Sequence, residues 1–264
     1  MKVDYRADAG VAVLTLTEPP ANTYSYEMMR ELDAAVLEAR MDPAVHVIVL
    51  TGAGETFFCA GATIGMLNAV TPEYKYYFCL HANETLNRLE QTPKLVIAAL
   101  NGHTVGGGFE VAMAADLRIG RQGAAKVGLP EVALGVLPGT GGTQRLARLV
   151  GKARAMELMI AGRLLTMDEA LTLGLVTEVW GDDRRAGRPF LDAVTDYARQ
   201  FTPPHKASRA VGRIKRAVQS GLEAGFSEGL AIERELQQLL FQSDDAREGI
   251  AANLEKRPAR FTGQ

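Results

Sequence analysis

The chain has 264 residues, 47% of them hydrophobic and 23% charged, with a formal net charge of −2. It can therefore bury a substantial core, as one large domain or as one domain with an appendage. The charge balance offers no general attraction for nucleic acid or an anionic membrane, and both are excluded as expected partners.

The longest apolar runs, residues 45–50 and 95–100, are strand-sized and far too short to span a bilayer. Met1-Lys2-Val3 leads directly into a strand pattern, so no signal or transit peptide is expected. Cys59 and Cys79 lack CxxC or zinc spacing and sit in apolar contexts, which fits a reducing, cytoplasmic setting. Residues 11–17 predict a strand, paired with residues 2–6 through Asp8-Ala9-Gly10. Ser25 predicts an N-cap for a helix over 26–40, with Met29, Leu32, Val36 and Ala39 on one face. A buried strand follows at 46–51, then a glycine-bearing loop over 52–61. Thr71 and Pro72 supply an N-cap with proline at N1 for a helix running towards Leu89. Residues 95–100 form the next strand, and Gly106-Gly107-Gly108 turns the chain into a helix that contains Glu110. Strand returns at 117–120, after which loops carry Glu131.

Thr166 and Glu169 have capping-box spacing, with Gly174 ending that short helix. A polar loop covers 181–189. From about Asp196 strand signals cease, and three helical patterns occupy 206–220, 227–241 and 244–256. Strands alternating with helices argue for an α/β architecture with crossover connections. The expected organisation is an α/β core over 1–195 and an all-helical region over 196–264.

Two segments carry chemistry. Glu110 is the only charge between His103 and Asp116, directly after three glycines, and Glu131 is the only charge in residues 127–144. Glycines between a strand and a helix let backbone approach a ligand closely and leave N–H groups free at a helix start. Tight packing, with Glu110 serving only the helix dipole, is the plain explanation for the first acid. An ordinary surface-loop acid is the plain explanation for the second. Together, two isolated acids in apolar surroundings suggest an acid/base pair, because removal from water raises carboxyl pKa values towards the range of proton transfer. Nucleotide motifs fail: the triple glycine lacks G-x-G-x-x-G spacing, and Gly139-Thr-Gly-Gly-Thr143 lacks the Lys-Ser/Thr ending of a P-loop. None of the five serines lies in Gly-x-Ser-x-Gly. His46, His81, His103 and His205 are scattered without metal-ligand spacing, and of these only His103 lies near the glycine turn.

Several ordered segments resemble the crotonase (enoyl-CoA hydratase/isomerase) superfamily over essentially the whole chain. They are Pro19-Pro-Ala-Asn-Thr-Tyr-Ser25, Phe57-Phe-Cys-Ala-Gly-Ala62, Ala99-Leu-Asn-Gly-His-Thr-Val-Gly-Gly-Gly-Phe-Glu110, Leu129-Pro-Glu-Val-Ala-Leu-Gly-Val-Leu-Pro-Gly139, Gly141-Gly-Thr-Gln-Arg-Leu146 and Glu255-Lys-Arg-Pro-Ala-Arg-Phe261. The resemblance implies a ClpP-like spiral of ββα units with a helical C-terminal portion that mediates trimer contacts, in a homotrimer or homohexamer. It implies an acyl-CoA substrate, no metal or redox cofactor, and two backbone amides, of Ala62 and Gly107, at the thioester oxygen. Preorganised donors of this kind contribute roughly 3–4 kcal/mol apiece. Ala60, Ile64, Gly106, Pro138, Gly139 and Phe261 are the residues it places against substrate or CoA, Phe261 from across a subunit boundary.

Hydratases of the family carry glutamate at both acid positions, which implies that this chain hydrates a 2-enoyl-CoA to a 3-hydroxyacyl-CoA. Glu110 takes the water and Glu131 the C2 proton. The alternatives are other crotonase-fold chemistries (isomerase, thioester hydrolase, retro-aldol lyase) and a non-catalytic or RNA-binding crotonase-like protein. Two departures stand out. Thr63-Ile64-Gly65-Met66 replaces an acidic and basic CoA-binding pattern, and Pro20-Ala21 stands where a basic residue often precedes Asn22. Lys206, Arg209, Arg213 and Arg216 recur at helical spacing opposite Ala210, Val211, Ile214 and Val218; a solvated face explains them, with CoA phosphates or RNA as alternatives. Of Tyr74, Tyr76, Tyr77 and Phe78, some are expected in the core and one or two beside the acyl group.

Overall fold

A computed structural model describes all 264 residues. Strands β1 (Val3–Asp8) and β2 (Val11–Leu16) form the expected hairpin, closed by Ala9 and Gly10 at φ 46° and 82°. Positive φ at both turn residues gives the backbone twist that a two-residue hairpin needs. Helix α1 (Tyr26–Met41) begins where the Ser25 hydroxyl accepts the Met28 amide, and it buries Met29, Leu32, Val36 and Ala39 as expected, together with Met28 and Ala35. Then come β3 (Val47–Gly52), β4 (Phe57–Cys59), α2 (Ile64–Ala69) and α3 (Pro72–Glu90), the last capped by Thr71, which accepts the Tyr74 amide at 3.1 Å.

The chain continues through β5 (Leu95–Leu100), β6 (His103–Val105), α4 (Gly107–Met113), β7 (Leu117–Arg121) and β8 (Lys126–Gly128). A 3-10 turn, Glu131–Leu134, precedes α5 (Gly142–Val150), α6 (Lys152–Ile160), β9 (Leu165–Thr166) and α7 (Met167–Thr172). In α7 both hydrogen bonds of the Thr166–Glu169 capping box form, and Gly174 turns the chain away at φ 74°. Last are β10 (Glu178–Trp180), α8 (Asp182–Arg185), α9 (Phe190–Arg199), α10 (Ser208–Glu223), α11 (Phe226–Phe241) and α12 (Asp244–Leu254).

Two sheets organise these elements. The larger has the order β1-β2-β3-β5-β7-β10, parallel from β2 onward, and the smaller the order β4-β6-β8-β9. Strands β3, β5 and β7 enter the large sheet, their successors β4, β6 and β8 enter the small one, and a helix returns each time. This is the expected spiral of ββα units.

Alternation explains why residues 46–51 read as unbroken apolar strand. Ile48 and Leu50 face the main core with α1 and α3, while Val47 and Val49 face a second cluster with Phe190, Val194 and Ala198 of α9. A strand covered on both faces has no polar side to show. Because α9 packs under the sheet, the boundary expected at 195/196 falls inside a helix that belongs to the core. No helix is long and apolar enough to cross a membrane.

The C-terminal helices dock at the end of the large sheet where β5 begins. A Cβ on Gly212 of α10 would collide with the Pro93 carbonyl, so glycine permits this close approach. Beside it, buried Lys215 pairs with Asp116 at 2.9 Å and donates to the Lys94 carbonyl at 3.1 Å. The face of α10 that meets the core is therefore Gly212 and Lys215. Its apolar stripe points outward: Ile214 and Val218 are exposed, as are Leu222, Phe226 at the start of α11 and Leu254 at the end of α12.

Candidate active site

Three chain segments converge where β4 and β6 leave the small sheet. The first runs from Asn22 to Thr63. Asn22, buried at φ 50°, donates through its side-chain amide to the carbonyls of Ala53 and Phe57, tying down the loop between β3 and β4. Tyr24 then brackets Ala62 with two backbone bonds: its amide donates to Gly61 O at 2.9 Å, and its carbonyl accepts from Thr63 N at 3.2 Å. Ala62 is left between them with its own N–H outside any helix or ladder.

The second segment is the glycine turn. Gly106 adopts φ 57°, ψ −136°, a conformation closed to ordinary side chains, and α4 starts at Gly107. At that first helical position the Gly107 N–H has no partner within the helix. A Cβ on Gly61 would lie only 2.8 Å from Gly107 N, so the Ala60–Ala62 and Gly106–Gly108 backbones run side by side. Side chains are excluded here: a Cβ on Gly107 would collide with the Tyr24 phenol, and one on Gly108 with the Cys59 carbonyl. The unbonded amides of Ala62 and Gly107 thus belong to adjacent backbone segments.

Glu110 lies one helical turn on, 2% exposed. Its Oε1 accepts the amides of Thr140 at 2.8 Å and Gly142 at 2.7 Å, and its Oε2 accepts the Thr140 hydroxyl. Burial raises its pKa, and these donors hold that rise back. The third segment brings Glu131, at the start of the 3-10 turn. A Cβ on Gly106 would sit 3.2 Å from Glu131 Oε1, which places this carboxyl over the glycine turn. Glu131 Oε2 is buried and makes no hydrogen bond within the protein. Burial first, and the Glu110 charge as well, push its pKa up to about 7. One carboxyl is held by three donors and the other has a buried oxygen with none, so the two sit in unlike environments.

The sequence profile of the enoyl-CoA hydratase/isomerase family matches residues 6–264. The chain belongs to that family. It is 36% identical over 248 residues to the short-chain-enoyl-CoA hydratase of Clostridium acetobutylicum, covering 94% of this chain and 92% of that one. To the crotonyl-CoA hydratase of Syntrophomonas wolfei it is 36% identical over 252 residues, 95% and 94% of the two chains. The crystal structure of the enoyl-CoA hydratase from Geobacillus kaustophilus superposes with a TM-score of 0.94 at 42% identity, covering 100% of this chain and 97% of that one.

Within this crotonase-family site the structure brings together Glu110, Glu131, Ala62, Gly106 and Gly107. Ala60, half-buried, and Pro138 border it: Ala60 O lies 4.0 Å from where a Gly106 Cβ would be, and Pro138 packs on Gly142, whereas Gly139 faces Cys79. Ile64 opens α2 as an exposed side chain. Phe261 is elsewhere in this protomer. It packs on Gly249 of α12, and the tail beyond it reaches His46, at the opposite end of β3 from the site. Arg209 of α10 stands there too, donating to Gln264 Oε1 at 3.2 Å. Phe78 is core, whereas Tyr74, Tyr76 and Tyr77 are exposed. His103 Nδ1 accepts the Lys126 amide at 3.1 Å, a link between β6 and β8. No three His, Cys, Asp or Glu side chains gather where they could hold a metal ion.

Sequence reasoning overlooked Tyr24, Thr140 and Gly142. A signal existed in Gly139-Thr-Gly-Gly-Thr143, which does form a helix start with convergent N–H donors. The anion it holds is the protein's own Glu110 rather than a phosphate.

Proposed function

We propose that this protein hydrates 2-enoyl-CoA thioesters to 3-hydroxyacyl-CoA by syn addition, with Glu110 and Glu131 as the acid/base pair. The observation that carries this reading is the pairing of two unlike carboxyls beside two free backbone amides. The thioester oxygen sits against the N–H groups of Ala62 and Gly107. Glu110 accepts a proton from water as its oxygen bonds to C3. The C2=C3 electron pair moves through C2 and C1 onto the thioester oxygen, where the two amides stabilise the enolate. The enolate collapses as C2 takes the proton of Glu131. A proton then returns from Glu110 to Glu131 through water, which restores the starting state. The chemistry as proposed uses no resident metal or redox cofactor, CoA being part of the substrate.

Conserved names among the relatives, a short-chain-enoyl-CoA hydratase and a crotonyl-CoA hydratase, support short enoyl chains as first substrates. Exposed apolar side chains on α10, α11 and α12 support a trimer or hexamer, in which Phe261 reaches a neighbouring site; the two free cysteines, Cys59 and Cys79, support a cytoplasmic setting. The test is product identification. Crotonyl-CoA and longer 2-enoyl-CoA substrates should lose their conjugated thioester absorbance and yield 3-hydroxyacyl-CoA by mass. Conversion of 3-enoyl-CoA to 2-enoyl-CoA without water uptake would replace the hydratase reading with an isomerase, and release of free CoA would replace it with a thioesterase.

A further inference from the structure

Tyr24 links the Ala60–Ala62 segment, the glycine turn and the Thr140 loop. Its backbone brackets Ala62, its ring fills the space over Gly107 that a Cβ would need, and its hydroxyl lies 3.2 Å from Thr140 Oγ1. Thr140 Oγ1 in turn bonds Glu110 Oε2. Tyr24 is 2% exposed and Thr140 2%, so neither hydroxyl has water as an alternative partner. Phe78 stacks on the Tyr24 ring at 5.9 Å between centroids and fixes its plane.

The direction of the two hydrogen bonds follows from the carboxylate. An ionised Glu110 can only accept, so Thr140 must donate to Oε2, and the remaining lone pair of Thr140 is then free to accept from the Tyr24 hydroxyl. In this direction every proton of the chain has an acceptor: Tyr24 donates to Thr140 Oγ1 and Thr140 donates to Glu110 Oε2. A hydrophobic side chain at position 140 would leave both the Tyr24 hydroxyl and Glu110 Oε2 without this partner, and one at position 24 would remove the donor to Thr140 Oγ1.

We propose that Tyr24 and Thr140 are positioning residues for the acid/base step: a two-hydroxyl chain that holds the ionised Glu110 Oε2 in place, while the Tyr24 ring registers the Ala62 and Gly107 amides against it. This assignment rests on Glu110 being the general base of the proposed hydration. The charged and titratable groups that face the chain are Glu131 from the 3-10 turn, Arg145 from α5, Cys59 from β4 and Cys79 from α3. None of them forms a hydrogen bond to either hydroxyl.

The test uses the full-length protein with Tyr24→Phe, Thr140→Val, the double variant, and Thr140→Ser as the conservative rescue. Tyr24→Phe keeps the ring against Gly107 and removes only the hydroxyl. Two readouts are taken: kcat and KM for crotonyl-CoA across pH, and the infrared titration of the Glu110 carboxylate band, assigned by difference from Glu110→Gln. Loss of a donor to the carboxylate disfavours its ionised form, so the acid limb of kcat/KM and the Glu110 titration should both move to higher pH in Tyr24→Phe and further in Thr140→Val. The fall in kcat should be about tenfold or more, with KM little changed. The double variant should be no worse than Thr140→Val alone, because the chain is already broken there. Thr140→Ser should restore both readouts. An active parent whose Tyr24→Phe variant matches it in kcat and in the Glu110 titration would overturn the inference. A parent that hydrates nothing, but whose Glu110 titration still shifts as stated, would sustain the hydroxyl chain and overturn the hydratase reading.

Discussion

Replacing Glu131 by glutamine should make the folded protein relatively more stable at high pH while abolishing its proton chemistry. The Glu131 carboxyl is raised from 4.5 to about 7 by burial and by Glu110. A folded-state pKa above the unfolded value means that the folded protein holds the proton more tightly. Its contribution is fully present below pH 4.5 and is lost as pH rises towards and through 7. At about 1.4 kcal/mol per pKa unit the loss is at most roughly 3 kcal/mol. Glu131 keeps part of its surface in solvent, which screens the effect to about 1–2 kcal/mol.

Glutamine lacks this titration. Any cost of its unpaired amide at the Oε2 position is the same at every pH, and Glu110 titrates in both proteins. The gap in melting temperature between Glu131→Gln and the parent should therefore move in favour of the variant by roughly 2–8 °C between pH 4.5 and pH 8. Scanning calorimetry or fluorimetry in matched buffers reads it. A gap that stays constant across that range would mean that Glu131 is ionised without penalty in the folded protein, and its role as a proton-bearing acid would fall with it.

Gly142→Ala would place a Cβ 2.9 Å from Glu110 Oε1 and 2.8 Å from Pro138 Cβ. The carboxylate has to move, and kcat should fall by about 10²-fold, since displacement of that order is costly to a positioned group; an unchanged kcat would show that Glu110 tolerates displacement. Lys215→Met leaves Asp116 buried without its cation and should cost about 3–5 kcal/mol, read from the urea midpoint. Adding Asp116→Asn to it should recover part of that loss. Phe226→Glu, at a side chain 82% exposed in the protomer, should shift the elution of the native assembly towards monomer if α10–α12 form the subunit contacts. An unchanged elution volume would move the interface elsewhere.

The fold was legible wherever one residue pattern answers to one local cause. Ser25, Thr71 and the Thr166–Glu169 box stop helices at their starts because a side-chain oxygen there accepts amides that the helix leaves free, and all three cap as the residues indicate. Residues 95–100 form a strand within the expected limits because both faces of the sheet are covered. Three-residue strands were not legible. β4, β6 and β8, three residues each, are too short to display a repeating alternation and exist because they pair with one another across long sequence separations.

The C-terminal boundary was misplaced for a related reason. Helix α9 looks like its successors in sequence, yet its apolar face is spent under the large sheet. At the site, Glu110 and Glu131 stood out because each is an isolated charge. Tyr24 and Thr140 did not, since a tyrosine or threonine is unremarkable until its hydroxyl is seen to lack water. Phe261 and Arg209 lie at the far end of the sheet from their own protomer's glutamates, a placement that no sequence spacing encodes.

The most direct measurement is the rate of crotonyl-CoA hydration by the parent, Glu110→Gln and Glu131→Gln at one pH near neutrality, followed by loss of enoyl-thioester absorbance. Each substitution keeps the side chain's shape and removes the group that carries the proton. The two-glutamate account predicts rapid hydration by the parent and a fall of about 10²-fold or more in kcat for each variant. Parent activity that survives either substitution intact would contradict it.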